Sequence, residues 1–298
     1  MNISENAKLA VTGASGFIGR GLIETLAQQN IPARGISRGK LPDWAGATTQ
    51  WHSVASYEDT AALSSALGGA QFLLHLADNP SRTAARDANT AAAIARVVKA
   101  AAESASVEGI IFASSVYAAK TDAPYGQGKR DAEEVFLSDS KIPTVILRLP
   151  PVYGKGGRGG LSTLAALAKK GLPLPFGLAS EPRNYLSRRN FCDLIQHMID
   201  ADAAAWQRAD GKIFEPSDGR AISTRALVDE MGRAQGRPVR QVPVPTGLLR
   251  LAGKLSGRSA LVSGAIDRLD VVPNTELTEF FGWTPAEQMP ESLHFLKV

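Results

Sequence analysis

A chain of 298 residues is long enough to bury a large core, as one large domain or two intimate ones. Its composition, 44% hydrophobic and 21% charged with 28 glycines, is that of a globular α/β protein, and a net charge of +4, scattered along the sequence, does not argue for nucleic acid. One cysteine, Cys192, excludes an internal disulfide or a thiolate metal site; His52, His75, His197 and His294 have no metal-ligand spacing; and no apolar run reaches the ~18 residues that span a bilayer.

The expectation is therefore a cytoplasmic protein without metal, nucleic-acid or membrane partner, and without a leader, since no basic stretch followed by an apolar one opens the chain. Lys8 to Thr12 reads as a short buried strand, Phe17 to Gln29 as a helix and Ala33 to Ser37 as the second strand. A helix follows over Ala61 to Leu67. Gln71 to Ala77 is apolar without alternation, as in a strand covered on both faces. Asn89 to Ser104 is a long Ala-rich helix, Gly109 to Ser115 a buried strand, Tyr125 to Leu137 a helix and Thr144 to Leu149 a strand. Strands alternating with helices predict an α/β fold with a doubly wound parallel sheet of Rossmann type.

After Pro150 the character changes. Gly154 to Gly160 holds five glycines in seven residues and reads as loop; Leu161 to Lys170 is helical; Gly171 to Gly177 is too Pro-rich for a long helix. Phe191 to Ala205, Ser223 to Gly236 and Thr246 to Leu255 read as further helices. The expected division is 1–152 for a dinucleotide-binding domain and 153–298 for a smaller, mainly helical substrate lobe.

The first strand runs into Thr12-Gly13-Ala14-Ser15-Gly16-Phe17-Ile18-Gly19 and then a helix. In that context Gly13 permits a tight turn, Gly16 lets the backbone approach a pyrophosphate, and Gly19 lets the helix pack close to the strand. The N–H groups and positive dipole end of the helix favour an anion there. The competing reading is a merely tight strand–helix turn. The second strand ends in Arg34-Gly35-Ile36-Ser37-Arg38, with no acid to bind the adenosine ribose hydroxyls. Arg38, with Arg34 and Ser37, is suited instead to a 2′-phosphate, which predicts NADP in preference to NAD; the bland alternative is a solvated arginine.

Tyr125 and Lys129 are four apart and share one helix face. A neighbouring ammonium stabilises a phenolate and makes a tyrosine a usable acid or base. Ser115, at the end of a buried strand just upstream, can hydrogen-bond the same reacting oxygen. Alone, Tyr-x-x-x-Lys is also a common amphipathic face.

Together these residues resemble the extended short-chain dehydrogenase/reductases, specifically the NAD-dependent epimerase/dehydratase family, over nearly the whole chain. Thr12 to Gly19 matches the TGxxGFIG motif, and Leu74-His75-Leu76-Ala77 the strand under the cofactor. Asn89 opens the next helix as the family's asparagine does. Phe112-Ala113-Ser114-Ser115-Val116-Tyr117 matches the active-site strand, with Ser115 the better match to the catalytic hydroxyl, and Leu147 to Gly154 the strand and loop beside the nicotinamide.

The resemblance implies Ser115, Tyr125, Lys129 and Asn89 as catalytic residues. It implies Gly13, Ser15, Gly16, Phe17, Ile18, Gly19, Ser37, Arg38, Leu76, Ala77, Tyr125, Lys129 and Pro150 around an NADP or NAD cofactor. Leu172-Pro173-Leu174-Pro175-Phe176-Gly177 resembles the segment along the substrate's base, and Arg183 falls where the family places an arginine on the diphosphate. From the residues alone Arg183 is equally a surface charge, and Trp283 reads as core packing.

Val242-Pro243-Val244-Pro245, the Leu-rich helix after it and Phe281 to Pro285 are similar to bacterial surface-polysaccharide enzymes acting on UDP-linked N-acetylamino sugars. The implied function is 4-keto reduction of such a sugar. The alternatives are a 4-epimerase holding NAD tightly, a reductase of a small non-nucleotide carbonyl, and a non-catalytic NADP-sensing protein. A homodimer is the family's habit.

Three departures stand out. Ala118 replaces the usual glycine, only nine residues separate Ser115 from Tyr125, and the compact loop after Ala77 carries Asp78, Arg82, Arg86 and Asp87. A shorter rim implies a more open or differently shaped sugar pocket.

Overall fold

A computed structural model describes residues 6–40, 42–46, 48–77, 87–120, 123–139, 141–157 and 159–296, with the backbone alone for 87–89 and 260. In chain order the elements are β1 (Ala7–Thr12), α1 (Phe17–Gln28), β2 (Ala33–Ser37), β3 (Thr49–Ser53), α2 (Thr60–Leu67), β4 (Ala70–His75), α3 (Asp87–Ser104), β5 (Gly109–Ser115), α4 (Tyr117–Lys120), α5 (Pro124–Leu137) and β6 (Thr144–Leu149). There follow β7 (Val152–Tyr153), α6 (Gly160–Lys170), β8 (Pro182–Arg183), β9 (Leu186–Ser187), α7 (Arg188–Asp200), α8 (Ala203–Ala209), β10 (Ile213–Phe214), β11 (Ile222–Ser223), α9 (Thr224–Ala234), α10 (Thr246–Leu255), α11 (Ser259–Ile266), α12 (Thr275–Phe281) and a 3₁₀ helix (Glu291–Leu296).

The chain groups into two compact units. One is Met1–Leu149, Cys192–Pro216 and Asn274–Thr284; the other is Pro150–Phe191, Ser217–Pro273 and Pro285–Val298. A single cut after residue 152 takes no account of the two returns. The first return carries β10, which extends the sheet by pairing Ile213 with Ile146 and Phe214 with Leu147. The second brings Phe281 against Phe214 and Trp206, and buries Trp283 completely, its indole N–H donating to Asp193 Oδ2 at 3.0 Å.

The first unit is built on a seven-stranded sheet, ordered β10-β6-β5-β4-β1-β2-β3, in which every pairing is parallel. β2 and β5 are buried along their whole length, as strands covered on both faces in a doubly wound sheet are, even though β2 includes Arg34 and Ser37. The order reverses between β1 and β4. Thr12 pairs with Ile36 on one side and His75 on the other, so the carboxyl ends of the strands open beside that reversal, where such sheets bind ligands. On one face Leu63, Leu73, Val98, Ala102, Ile110, Phe112 and Phe136 form a continuous core under α2, α3 and α5.

Two elements differ from expectation for local reasons. The helix predicted over Phe191 to Ala205 is two helices: α7 stops at Asp200, and Asp202 caps α8 by accepting from Ala205 N at 2.7 Å. The strand β3 was not anticipated. It lies at the sheet edge, where Trp51 covers Gly35 so closely that a Cβ on Gly35 would stand 2.4 Å from the indole.

The second unit is mainly helical, tied by two pairs of two-residue strands. β7 pairs with β9, Val152 with Leu186 and Tyr153 with Ser187. A buried carboxylate fixes this pair. Asp218 accepts from Tyr153 Oη at 2.6 Å, Ser187 N at 2.8 Å and Asn190 Nδ2 at 2.7 Å, while Tyr153 Oη also meets Ser292 Oγ. Burial pushes Asp218 up to about 6 against the pull of those donors, and nearby Glu287 adds to the rise. Burial and the Asp218 charge raise Tyr153, so it stays a neutral donor.

A carboxyl raised on folding contributes stability below its unfolded value that is lost as pH rises through the folded one. The stability of the protein relative to Asp218→Asn should therefore fall between pH 4 and 6, by roughly 2–3 kcal/mol, and then level off. Parallel thermal melts of the two proteins across that range check it; parallel pH curves would contradict it.

Candidate active site

The loop between β1 and α1 is shaped by two glycines, Gly13 and Gly19, at which a Cβ would collide with backbone. Gly13 has φ +71°, in the left-handed region, and a Cβ there would lie 2.8 Å from Ala77 N. On Gly19 a Cβ would stand 2.6 Å from Gly13 O and 2.8 Å from Ala14 Cα. Gly16 is more open, its nearest conflict Gly13 O at 3.1 Å. It is the N-cap of α1, with no side-chain cap and no acid in the first turn, so the positive end of the helix faces outward uncompensated by the chain's own side chains. Ser15 and Gly16 are exposed, Phe17 and Ile18 half-buried. Close backbone, small surface and a positive helix end give this loop, the glycine cradle, a geometry that could hold a pyrophosphate.

The end of β4 is stitched to the same loop. Thr12 Oγ1 meets His75 Nδ1 at 2.7 Å, Leu76 N donates to Thr12 O at 3.2 Å, and Ala77 N reaches Thr12 Oγ1 at 3.5 Å. Burial and the Lys129 charge push His75 down to about 3, so it is a neutral hydrogen-bonding and stacking group against Phe112 and Phe136.

The arginines of β2 divide. Arg34, one of the residues suited on paper to a phosphate, points elsewhere: its buried guanidinium donates to Ala66 O in the last turn of α2 at 3.3 Å. Ser37 Oγ turns back on Gly39, bonding its N and O. Arg38 lies 5.8 Å from the centroid of the Tyr57 ring. Tyr57 was missed from sequence. Its hydroxyl donates to Ile36 O at 3.2 Å and accepts from Gly13 N at 3.0 Å, so one side chain joins the end of β2 to the first glycine of the cradle. No spacing signals this, because the partners are 44 residues apart.

The adjacent serines at the end of β5 also divide. Ser114 Oγ is bonded to Glu133, whose carboxylate is held in bidentate fashion by Arg148, at 3.0 and 2.7 Å. Glu133, and more distantly Glu215, hold Arg148 firmly in its charged form. Ser115 is buried, and its Oγ accepts from Tyr117 N at 3.3 Å, which leaves the hydroxyl proton to donate.

Pro124 at the first turn of α5 sets Tyr125 at the helix entrance, 41% exposed. One turn on, Lys129 is buried, its ammonium donating to Ala113 O at 3.3 Å and lying 5.2 Å from the Phe112 ring centroid. The short connection is filled by α4, pinned to α5 by Arg130 Nη1 donating to Ala118 O at 2.6 Å, with Ala118 fully buried. Asn89 lies in α3, but its side chain, like the loop with Asp78, Arg82 and Arg86 and the side chain of Asp87, lies outside the described residues.

In the second unit Pro150 is buried and Phe176 half-buried. Arg183 is buried: Nη2 donates to Gly264 O at 2.8 Å in α11, Nη1 to Asp267 O just beyond it, and Nε to Tyr185 Oη at 3.3 Å. It is therefore not the exposed charge that the residues alone allowed, and in this arrangement it closes the carboxyl end of α11.

The sequence profile of the NAD dependent epimerase/dehydratase family matches residues 9–210. A UDP-glucose 4-epimerase of Vibrio cholerae is 37% identical over 172 residues, 56% of this chain and 50% of the relative, so this chain spans half of that protein's length. The N-acetyl-α-D-glucosaminyl-diphospho-ditrans,octacis-undecaprenol 4-epimerase of Escherichia coli O157:H7 is 26% identical over 289 residues, 87% of this chain and 83% of the relative. The Thermus thermophilus UDP-glucose 4-epimerase in complex with NAD has the same fold, with a TM-score of 0.73 at 18% identity over 97% of each chain.

The three glycines should separate by experiment. Gly13→Ala and Gly19→Ala should lower the melting temperature, because each forces backbone apart, and Gly13→Ala adds about 1 kcal/mol or more of left-handed strain. Gly16→Ala should melt near the parent protein yet bind a nicotinamide dinucleotide at least several-fold more weakly. Melting curves and fluorescence titrations on the same preparations check both halves.

Proposed function

This chain belongs to the NAD-dependent epimerase/dehydratase family, and we propose that it reduces the 4-keto group of a UDP-linked N-acetylamino sugar with NADPH. The observation that carries the choice of cofactor is the end of β2. Arg38 follows the strand where an acid would grip the ribose hydroxyls, and Tyr57 holds its guanidinium beside the cradle. A guanidinium there fits a 2′-phosphate. A cofactor that must be exchanged at every turnover suits a reductase.

A nicotinamide cofactor held at the glycine loop would supply the hydride for C4. The chain's residues handle the oxygen. Ser115 donates a hydrogen bond from its hydroxyl to the carbonyl oxygen and polarises it, keeping its own proton. Tyr125 transfers its phenolic proton to that oxygen as the carbonyl becomes an alcohol. Lys129, fixed on Ala113 O one turn deeper, stabilises the phenolate left behind and holds the cofactor ribose. The half-exposed Tyr125 regains its proton from water, with Asn89 ordering the helix opening or that water. Phe176 and Arg183 are assigned to the nucleotide part of the substrate, which requires Arg183 to exchange a bond to α11 for the diphosphate.

A second reading, 4-epimerisation with retained NAD, is favoured by the two relatives described above, each a 4-epimerase. The Escherichia coli relative also acts on a sugar carried by diphospho-undecaprenol, so a polyprenol is the alternative carrier beyond the shared diphosphate.

With a UDP-linked 2-acetamido-2,6-dideoxy-4-hexulose, loss of reduced-nicotinamide absorbance should be faster with NADPH than NADH, and Arg38→Ala should erase most of that preference. No oxidation of either, with NAD carried through purification, would decide for the epimerase. Under the same assay Tyr125→Phe and Ser115→Ala should each cost about 10²–10⁴ in turnover. Ser114→Ala should keep turnover and instead lose roughly 1–3 kcal/mol of stability by depriving buried Glu133 of a donor.

A further inference from the structure

In the second unit α10 and α11 form a tight hairpin, closed by Arg258 N donating to Gly253 O at 2.7 Å. Gly253 is the point of contact, where a Cβ would stand 2.7 Å from Val262 Cγ2. Leu249 and Gly253 thus make the inward face of α10. The outward face is also apolar. Leu248, Leu251, Ala252 and Leu255 recur at helical spacing and are exposed, the three leucines by 57%, 53% and 81%, and Leu261 on α11 is 59% exposed. Several leucines on one exposed stripe mark an interaction surface.

The segment of chain that carries this stripe has a one-sided charge. Residues 237–273 carry Arg237, Arg240, Arg250, Lys254, Arg258 and Arg268 against Asp267 and Asp270, an excess equal to the +4 of the whole chain. The charge that looked scattered along the sequence is concentrated here. Arg250 pairs with Asp267 at 2.6 Å and Arg268 with Asp270, whereas Lys254 and Arg258 are exposed and form no ion pair among the described residues.

We propose that the α10–α11 hairpin docks on an anionic lipid bilayer. Leu248, Leu251, Leu255 and Leu261 enter the headgroup–acyl boundary while Lys254 and Arg258 meet lipid phosphates. A second copy of the chain fits less well, because a two-fold contact through this face would set its cationic rim against the same cationic rim. The expectation of no membrane partner rested on spans, and no described helix is long and apolar enough to cross a membrane. Interfacial docking needs no span. It is independent of the proposed reaction, but would bring the protein to any sugar carried on a polyprenyl diphosphate.

The full chain, without substrate or cofactor, should co-sediment with phosphatidylglycerol–phosphatidylcholine vesicles and not with phosphatidylcholine alone. Binding should weaken as salt is raised. The double variant Leu251→Glu/Leu255→Glu should lower vesicle affinity at least tenfold at an unchanged melting temperature, and Leu255→Ser, at the most exposed position, severalfold. Lys254→Glu/Arg258→Glu should remove most of the preference for the anionic lipid.

Failure of the parent protein to bind anionic vesicles would overturn the proposal, as would binding that the leucine variants leave intact. Sedimentation velocity gives the remaining outcome: if Leu251→Glu/Leu255→Glu turns a dimer into a monomer without changing vesicle binding, the face joins two copies and the proposal falls. None of these results bears on nicotinamide turnover, so the reductase reading stands or falls separately.

Discussion

The approach of α1 to the ends of β1 and β4 sets the terms for everything else at the head of the sheet. Gly13 and Gly19 let backbone meet backbone at distances that exclude a Cβ, and Thr12 then bridges to His75, Leu76 and Ala77 on the next strand. Two consequences follow from that single contact. The helix begins with its positive end uncapped by side chains, so an anion is favoured there. The sheet's reversal of order is locked beside it, at the carboxyl ends of β1 and β4, and β5, which ends in Ser115, pairs with β4.

The two neighbouring serines at the end of β5 meet opposite fates because a strand sends alternate side chains to opposite faces. Ser114 joins the buried Glu133–Arg148 pair, where both charges are satisfied and breaking one partner would cost about 3–5 kcal/mol. Ser115 makes one bond to the next turn of backbone and keeps its proton. That asymmetry is a physical reason for preferring Ser115 as the reacting hydroxyl, independent of any resemblance. Lys129 completes the picture: it spends one donor on Ala113 O, and its charge helps keep His75 neutral beneath the cradle.

Much of the fold was legible in the sequence where the signal is local. β5 and β6 are largely apolar segments with sharp ends, and these two and β2 match the sequence reading to the residue. The glycine cradle was legible because each glycine answers a distinct steric demand. What escaped has no local signal. β3 is an edge strand of mixed polarity, β10 has two residues, and the Asp202 cap that splits α7 from α8 sits inside a run of alanines. Tyr57 acts through the tertiary fold alone. Arg34 and Arg38 carry the same chemistry four residues apart, and only the packing of α2 tells which is committed to structure. The helix α10 was found to the residue, yet its leucines could not be divided into inward and outward faces, since Gly253 makes the inward contact beside Leu249 while Leu248, Leu251 and Leu255 face out.

The bond between Tyr57 and Gly13 links the two ends of the proposed cofactor site. Gly13 N donates to a tyrosine that also stacks under Arg38 and bonds Ile36 O. An anion drawing Arg38 outward would act on the ring that positions the first glycine. A pyrophosphate pressing on the cradle acts on the same ring from the other side. Burial raises the Tyr57 hydroxyl above its ordinary range, so it remains a neutral donor and acceptor throughout. A single uncharged side chain thus carries both the specificity end and the binding end of the site. For that reason Tyr57→Phe, which keeps the ring under Arg38 but frees Gly13 N, separates the cation–ring contact from the hydrogen bond. Loss of affinity for NADPH and NADH alike would place its weight on the cradle, and loss for NADPH alone would place it on Arg38; paired titrations of the two cofactors read the difference.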